Sequence, residues 1–291
     1  MILVDRDHKR AQGEALDLMH AQAYAGRCQV RAGNYEDLSD CHVIVISAGA
    51  SQKNGETRLD LLQRNVQIFN SIITEVDKFC PDAILLIATN PVDILTYISQ
   101  EISHRPHHKI IGTGTMLDTS RFRSLLGEYY RVDPKSVHGF IVGEHGDSEL
   151  PLWSSASIGG LKITTEKING ISFDKEQMDS LFLNVKTAAY QIIEKKGHTD
   201  LAIGLMISHL VKTIRNNQKS ILPLSVRLEG QYDLQGLCLG LPCVLGAQGV
   251  EAIITPPISK NEQEQLNNSA ETLLKSIKDI SYPKFYTKDK V

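Results

Sequence analysis

The chain has 291 residues, of which 42% are hydrophobic and 22% charged, an ordinary composition for a globular protein with one large core or two modest ones. The net charge of −3 at pH 7 argues against nucleic-acid binding, and the longest apolar runs are too short to cross a membrane. The five cysteines form no C-x-x-C pair, so we interpret them as reduced thiols of a cytoplasmic protein.

The first half of the sequence alternates apolar runs with amphipathic stretches. It opens on a short run, MILVD, that ends at Asp5. Three longer runs predict buried strands: residues 41–50, 82–91 and 108–115. Two stretches with helical spacing lie between them: residues 59–79 and 92–102. This alternation predicts a parallel sheet covered on both faces, whose ligands bind beyond the carboxyl ends of the strands.

The pattern changes after about residue 112. A helical stretch over 118–130 leads into VHGFIVGEHGDSELPLWSS, and three more amphipathic helices and a hairpin-like region follow. We therefore expect two parts that pack as one body, residues 1–112 and residues 113–291.

Two motifs of this second part carry groups suited to proton transfer and anion binding. His145 stands between Gly143 and Gly146, which predicts a turn; it either titrates there as an acid–base group or hydrogen-bonds its own turn. Asp118 and Arg121 are three residues apart on one helix face. They either form a surface ion pair, or Asp118 orients the His145 ring while Arg121 clamps a substrate carboxylate.

Two loops of the first part add to this set. GASQKNGETR, residues 49–58, is either a mobile lid whose Arg58 polarises a carbonyl or a solvated loop. Asn90, in ATNPVD, either binds in the ligand crevice or starts a turn. The sequence shows no metal set, no serine–histidine triad and no phosphate loop. A proton shuttle beside a carboxylate clamp suits hydride transfer between a hydroxy acid and nicotinamide.

At these residues the sequence resembles the L-lactate/malate dehydrogenase family, and bacterial L-lactate dehydrogenases most of all. The resemblance rests on NPVDILTY, GTGTMLDTSRFR, GEHGDSELPLWS and KGHTDLAIG, which occur in the family's order. It implies an α/β fold, with an N-terminally truncated Rossmann-type parallel sheet followed by an α+β substrate-binding domain. It also implies NAD as the cofactor, reversible conversion of pyruvate to L-lactate in glycolysis or fermentation, and a homo-oligomer, a tetramer or dimer.

The resemblance implies roles for individual residues. His145 would be the proton donor and acceptor, Asp118 its partner, and Arg121 the anchor of the substrate carboxylate. Arg58 would be a lid arginine that stabilises charge on the substrate oxygen. Further positions would contact the substrate (Asn90 and Thr199) or the cofactor (Asp5, Gly49, Ala50, Thr89 and Asn90).

Three more residues bear on specificity and control. Family members that take malate have an arginine where this sequence has Gln52, so a second carboxylate would be left unpaired in a closed site. Gln52 therefore favours pyruvate over oxaloacetate, unless it is only a solvated lid residue. Arg123 and His138 resemble an anion site where fructose 1,6-bisphosphate activates many bacterial members. A role in subunit contacts or in the core is the alternative for this pair.

The sequence departs from the family at its start. The first strand, the G-x-G-x-x-G turn and the first helix of the family are not found before Asp5. Either the start codon was assigned too late, which the internal-looking Met1 favours, or the chain is shortened. For the chain as written we expect weak NAD binding and a poorly stable fold. The alternatives to a lactate dehydrogenase are an enzyme for malate or other 2-hydroxy acids, and a non-catalytic truncated subunit.

Overall fold

The computed structural model describes residues 1–25, 28–50 and 55–280. The strands are β1 (Ile2–Leu3), β2 (Arg31–Ala32), β3 (Val43–Ile46), β4 (Ile84–Ile87), β5 (Ile110–Gly112), β6 (Val137–His138), β7 (Ile141–Val142), β8 (Leu150–Pro151), β9 (Ser157–Ile158), β10 (Leu161–Lys162), β11 (Ser220–Glu229), β12 (Gln235–Gly246) and β13 (Gly249–Ile253). The helices are α1 (His8–His20), α2 (Gln22–Ala25), α3 (Arg58–Phe79), α4 (Val92–Ile102), α5 (Met116–Tyr130), α6 (Lys175–Lys196), α7 (Leu201–Arg215) and α8 (Lys260–Asp279).

A six-stranded sheet organises the molecule in the order β13-β12-β11-β5-β4-β3. Strands β3, β4 and β5 are parallel, as the alternation of apolar runs and helices predicts. The remaining three strands come from the second half of the chain and are antiparallel. Ser225 of β11 pairs with Gly112 of β5, so the sheet continues from the first half of the chain into the second. The predicted hairpin is confirmed as β11 and β12.

Strand β1, which ends before Asp5, is not hydrogen-bonded to the six-stranded sheet. It pairs in parallel with β2 in a separate two-stranded sheet, where Ile2 lies opposite Arg31. Among the described strands, β3 is therefore an edge of the six-stranded sheet. A strand does precede Asp5, as expected, but it ends at Leu3, two residues earlier, and the described residues do not join it to the main sheet.

Helix α5 lies between two hydrophobic clusters. Met116, in its first turn, belongs to the large cluster around the six-stranded sheet. Phe122, Leu126 and Tyr130, further along, belong to a second cluster with α6 and the strands β6 and β9. The polar residues of the first two turns of α5 therefore lie where the two clusters meet. Within the described part of the chain, no helix is long and apolar enough to cross a membrane.

Candidate active site

The turn that carries His145 follows β7 and is fixed to two other elements. Gly143 exchanges two backbone hydrogen bonds with Gly240 of β12, at 3.0 and 2.9 Å. The φ angle of Gly143 is 91°, and a Cβ atom there would meet Ser269 Oγ of α8 at 2.8 Å, so only glycine fits. The same hydroxyl accepts a hydrogen bond from the Glu144 backbone N–H at 2.8 Å. The turn is therefore held in place before any ligand binds.

The ring of His145 meets the carboxylate of Asp118. His145 Nδ1 lies 2.6 Å from Asp118 Oδ2. Two threonines hold α5 against β7: Thr115, the residue before the helix, donates its hydroxyl to Ile141 O at 2.6 Å, and Thr119 Oγ1 accepts the Ile141 backbone N–H at 2.9 Å. A carboxylate at Nδ1 keeps the proton of the neutral ring on that nitrogen, which leaves Nε2 to exchange a proton with a ligand.

Neighbouring charges control the protonation of this pair. Burial works to lower the pKa of His145, but the hydrogen bond and charge of Asp118, aided by Asp93 and Glu149, raise it to about 9. Burial works to raise the pKa of Asp118, but its contacts with His145 and the charge of Arg121 lower it. At neutral pH the pair is therefore an imidazolium and a carboxylate.

Arg121 forms an ion pair with the other oxygen of the same carboxylate. Its Nη1 donates to Asp118 Oδ1 at 2.7 Å, with the two side chains only 17% and 4% exposed. From the sequence, two alternatives were open: Asp118 and Arg121 form a surface ion pair, or Asp118 orients His145 while Arg121 binds a substrate carboxylate. The structure shows the ion pair, but a largely enclosed one beside His145, with a buried carboxylate and a partly buried guanidinium. A guanidinium has five N–H groups, so the others stay available for a ligand carboxylate.

A second carboxylate contacts His145 from its backbone side. Asp93, near the start of α4, is 2% exposed, and its Oδ2 accepts the His145 backbone N–H at 2.7 Å. Burial raises the pKa of Asp93 to about 6, against the lowering effect of hydrogen bonds that include this one. This hydrogen bond from the His145 N–H to Asp93 connects the turn to α4. The ionised carboxylate of Asp93 also places a negative charge next to the turn.

A third carboxyl, that of Glu149, completes the cluster. Glu149 is 6% exposed, and its Oε1 has no hydrogen-bond partner within the described residues. Atoms of Glu149, Asp118 and His145 that could bind a metal ion lie within 4.8 Å of one another. However, Arg121 already places a positive charge on Asp118, which disfavours a second cation there. The cluster is better suited to an anion than to a metal.

The residues expected to bind the cofactor lie at strand ends. Asp5, after β1, is exposed and accepts the Asp7 backbone N–H at 2.9 Å. Gly49, after β3, is exposed, and a Cβ there would meet Thr89 Cγ2 at 2.7 Å. Ala50 N–H donates to Asn65 Oδ1 at 2.8 Å, and Thr89 donates to Ala48 O at 2.8 Å. Asn90, after β4, is also exposed.

These residues fit NAD. The Asp5 carboxylate can accept ribose hydroxyls. Gly49 has no side chain, so the Thr89 methyl group packs directly against the backbone at this strand end. Thr89 and Asn90 offer polar groups at the next strand end.

The structure does not describe the side chains of two of the predicted substrate residues. Gln52 lies outside the described residues. Arg58 is the first residue of α3, and its side chain is likewise outside the description. Thr199 lies exposed on the connection between α6 and α7. Their predicted roles stay predictions.

The two residues of the predicted bisphosphate site are brought near each other, because Arg123 contacts the residues that follow His138. Arg123 Nε donates to Gly139 O at 3.0 Å, and its guanidinium lies 5.0 Å from the centre of the Phe140 ring. His138, next to Gly139, is exposed on β6. The structure thus brings a partly buried cation and an exposed imidazole to one short segment.

Sequence reasoning missed Asp93 and Glu149, although both stand in the quoted motifs. One signal was present, because both acids directly precede strongly apolar stretches, ILTYI and LPLW. The position of an acid next to an apolar stretch does not by itself fix its burial, since Asp82 precedes such a stretch and is exposed. Which group Asp93 contacts could not be inferred from the sequence, since Asp93 and His145 are 52 positions apart.

Comparison with known proteins identifies the family of both halves of the chain. Residues 1–112 match the model of the lactate/malate dehydrogenase NAD-binding domain, and residues 115–282 match that of the family's α/β C-terminal domain. An L-lactate dehydrogenase of Salinibacter ruber is 52% identical over 282 residues, covering 97% of this chain and 89% of that protein. One of Gloeobacter violaceus is 44% identical over 283 residues, covering 97% and 86%.

Solved structures give the same result. A lactate dehydrogenase from a deep-sea metagenome library of the Medee basin superposes with a TM-score of 0.92 at 40% identity, covering 97% of this chain and 90% of that one. The minor L-lactate dehydrogenase of Enterococcus mundtii gives 0.92 at 38% identity, with the same coverage. The α/β fold class and NAD as the cofactor are thereby confirmed. The chain belongs to the lactate/malate dehydrogenase family.

Proposed function

We propose that the chain is an NAD-dependent L-lactate dehydrogenase, which interconverts pyruvate and L-lactate. The observation that carries this proposal is the contact of 2.6 Å between His145 Nδ1 and Asp118 Oδ2, with Arg121 on the other oxygen of the carboxylate. The arrangement offers a proton on Nε2 and a guanidinium for a carboxylate at one site. The names of the relatives in Salinibacter ruber and Gloeobacter violaceus support the same activity.

The chain's own residues perform the binding and the proton transfer. Arg121 holds the substrate carboxylate with the N–H groups that Asp118 does not use. For pyruvate reduction, protonated His145 gives its Nε2 proton to the carbonyl oxygen; for lactate oxidation, the neutral ring removes the hydroxyl proton. Asp118 stabilises the imidazolium in both directions. When bound, NAD supplies or accepts the hydride.

The protonation state of His145 favours pyruvate reduction near neutral pH. Because its pKa is raised to about 9, the ring carries the proton needed by a carbonyl substrate over most of the physiological range. Lactate oxidation needs the neutral ring and therefore rises with pH. The enzyme is accordingly expected to work faster on pyruvate at pH 7 and to oxidise lactate best under alkaline conditions.

Specificity for a monocarboxylic acid is proposed from Gln52. A lid that closes Gln52 over the substrate leaves no cation for a second carboxylate, which costs several kcal/mol in a closed site. Arg58, at the start of α3, is proposed to reach the substrate oxygen when the lid closes. Thr199 and Asn90 are proposed to line the pocket.

The test is the absorbance of NADH with pyruvate or oxaloacetate as substrate. We expect pyruvate to be the better substrate by kcat/KM, and Gln52→Arg to move the preference toward oxaloacetate. If the unchanged protein prefers oxaloacetate, it is a malate dehydrogenase. If it oxidises NADH with neither substrate, the proposal of a catalytic subunit is wrong.

Four further features are proposed with this function. The chain divides into a cofactor part, 1–112, and a substrate part, 113–291. Arg123 and His138 bind fructose 1,6-bisphosphate as an activator. A location in the cytoplasm is proposed from the five free cysteines, because that compartment keeps thiols reduced. The subunits associate, most simply as a tetramer, through the exposed apolar side chains of α6 and α7: Leu183, Tyr190, Ile193, Leu201 and Leu205.

A further inference from the structure

Glu149 is a buried carboxyl group for which the proposed mechanism has no use. It stands just before β8, where the chain re-enters the core, and is 6% exposed. Its Oε1 has no hydrogen-bond partner within residues 1–25, 28–50 and 55–280. A buried ionised carboxylate needs a cation or several donors to offset the loss of water, whereas a protonated carboxyl needs much less.

The charged groups around Glu149 do not compensate an ionised carboxylate. Asp118 repels a second negative charge, and its oxygens are already shared by His145 and Arg121. Lys186 of α6 attracts it, but its ammonium donates to the backbone oxygen of Asp147. Burial first, and Asp118 second, raise the pKa of Glu149 to about 9, against the opposing charges of His145, Lys186 and Arg121.

The net charge of the cluster also favours a protonated Glu149. Protonated His145 and Arg121 carry two positive charges, which Asp118 and, above its pKa of about 6, Asp93 balance with two negative charges. With Glu149 neutral, the cluster has no net charge, and Arg121 offers the single carboxylate of a 2-oxo acid the N–H groups that Asp118 does not use. With Glu149 ionised, the cluster has one net negative charge, which repels a substrate anion from a buried site.

We propose that Glu149 keeps its proton while the enzyme works, and that loss of this proton sets the alkaline limit for binding the substrate carboxylate. The inference rests on the proposed lactate dehydrogenase function and adds to it a charge-setting residue. Glu149 acts through the charge of the pocket and not by transferring a proton to the substrate. Glutamine, which is neutral and nearly the same shape, should therefore replace it.

The pH profiles of the two reaction directions distinguish the effect of Glu149 from that of His145. Pyruvate reduction needs protons on both groups, so its kcat/KM should fall about a hundredfold per pH unit once both have titrated, above about pH 9. Lactate oxidation needs neutral His145 and protonated Glu149, so its kcat/KM should pass through a maximum and then fall about tenfold per unit. Asp93 titrates near pH 6 and does not contribute to these alkaline slopes.

The experiment compares the wild-type protein with Glu149→Gln. In the variant, the pyruvate slope should decrease to about tenfold per pH unit, and the lactate profile should rise to a plateau without an alkaline fall. Glu166→Gln, which removes an exposed acid from the same half of the chain, should keep both wild-type profiles. Unchanged slopes in Glu149→Gln would overturn the inference while leaving the lactate dehydrogenase function intact. No lactate oxidation by the wild-type protein would instead overturn the function.

A second measurement needs neither cofactor nor turnover. Infrared spectroscopy of the wild-type protein at pH 8 should show the carbonyl stretch of a protonated carboxylic acid, which disappears toward pH 10. The band should be missing in Glu149→Gln and present in Glu166→Gln. A wild-type spectrum without this band at pH 8 would overturn the inference, even if the variant failed to fold.

Discussion

Replacing Asp118 with asparagine tests the electrostatic core of the proposed mechanism. In the native site Asp118 is the main cause that raises the pKa of His145 to about 9 from an ordinary value of 6.5, since burial alone would lower it. That difference of 2.5 units corresponds to about 3 kcal/mol of stabilisation of the imidazolium. Without the carboxylate, the pKa of the buried ring should lie at or below its ordinary value.

The magnitude follows from the fraction of protonated His145. At pH 8 roughly nine-tenths of the wild-type rings carry a proton, against about 3% at a pKa of 6.5, which predicts a loss of at least about thirtyfold in kcat/KM for pyruvate. The loss should shrink toward pH 6, where both proteins are protonated. Asparagine can also present its amide group to Nδ1 and favour the wrong tautomer, which adds a loss that does not vary with pH.

The assay is the pH dependence of pyruvate reduction, followed by NADH absorbance, in wild type and Asp118→Asn. Glu128→Gln, an exposed position on the same helix, is the matched control for removal of one charge from α5. The reasoning predicts a ratio of wild type to Asp118→Asn that grows with pH. A ratio that stays constant across the pH range would refute a role of Asp118 in raising the pKa of His145.

Three further substitutions test other contacts of the site. Arg121→Lys keeps the charge but loses the planar fork, so KM for pyruvate should rise about 10- to 100-fold in steady-state assays with a smaller change in kcat; equal loss in both would contradict a binding role. Wild-type kcat should fall below about pH 6 as Asp93 takes up a proton and loosens its hold on the His145 N–H, and Asp93→Asn should be nearly independent of pH in that range. Glu149 has a folded pKa raised to about 9, so its stabilising contribution is complete below its ordinary value of 4.5 and is lost as pH rises toward 9. Urea unfolding should therefore find Glu149→Gln more stable than wild type by up to about 3 kcal/mol at pH 7 but not at pH 4.5, whereas a pH-independent difference would contradict the linkage.

The candidate site was predictable to the extent that local motifs carry chemistry. Gly143 and Gly146 around His145 predict a turn, and the spacing of Asp118 and Arg121 predicts a shared helix face; the structure has both features. What the spacing could not decide was whether Arg121 pairs with Asp118 or points away from it. That choice depends on burial where the two hydrophobic clusters meet, which is a property of the packed molecule.

The sequence by itself determined the order and type of the main elements, because the period of apolar residues is a local property that each strand and helix carries in its own residues. Only the tertiary structure decided that β11 of the second half joins β5 of the first, and that Asp93 lies beneath His145. It also decided that Glu149 is enclosed with no partner for Oε1 among the residues that the structure describes. These outcomes depend on contacts between distant residues, and the protonation states that follow depend on how much water those contacts exclude.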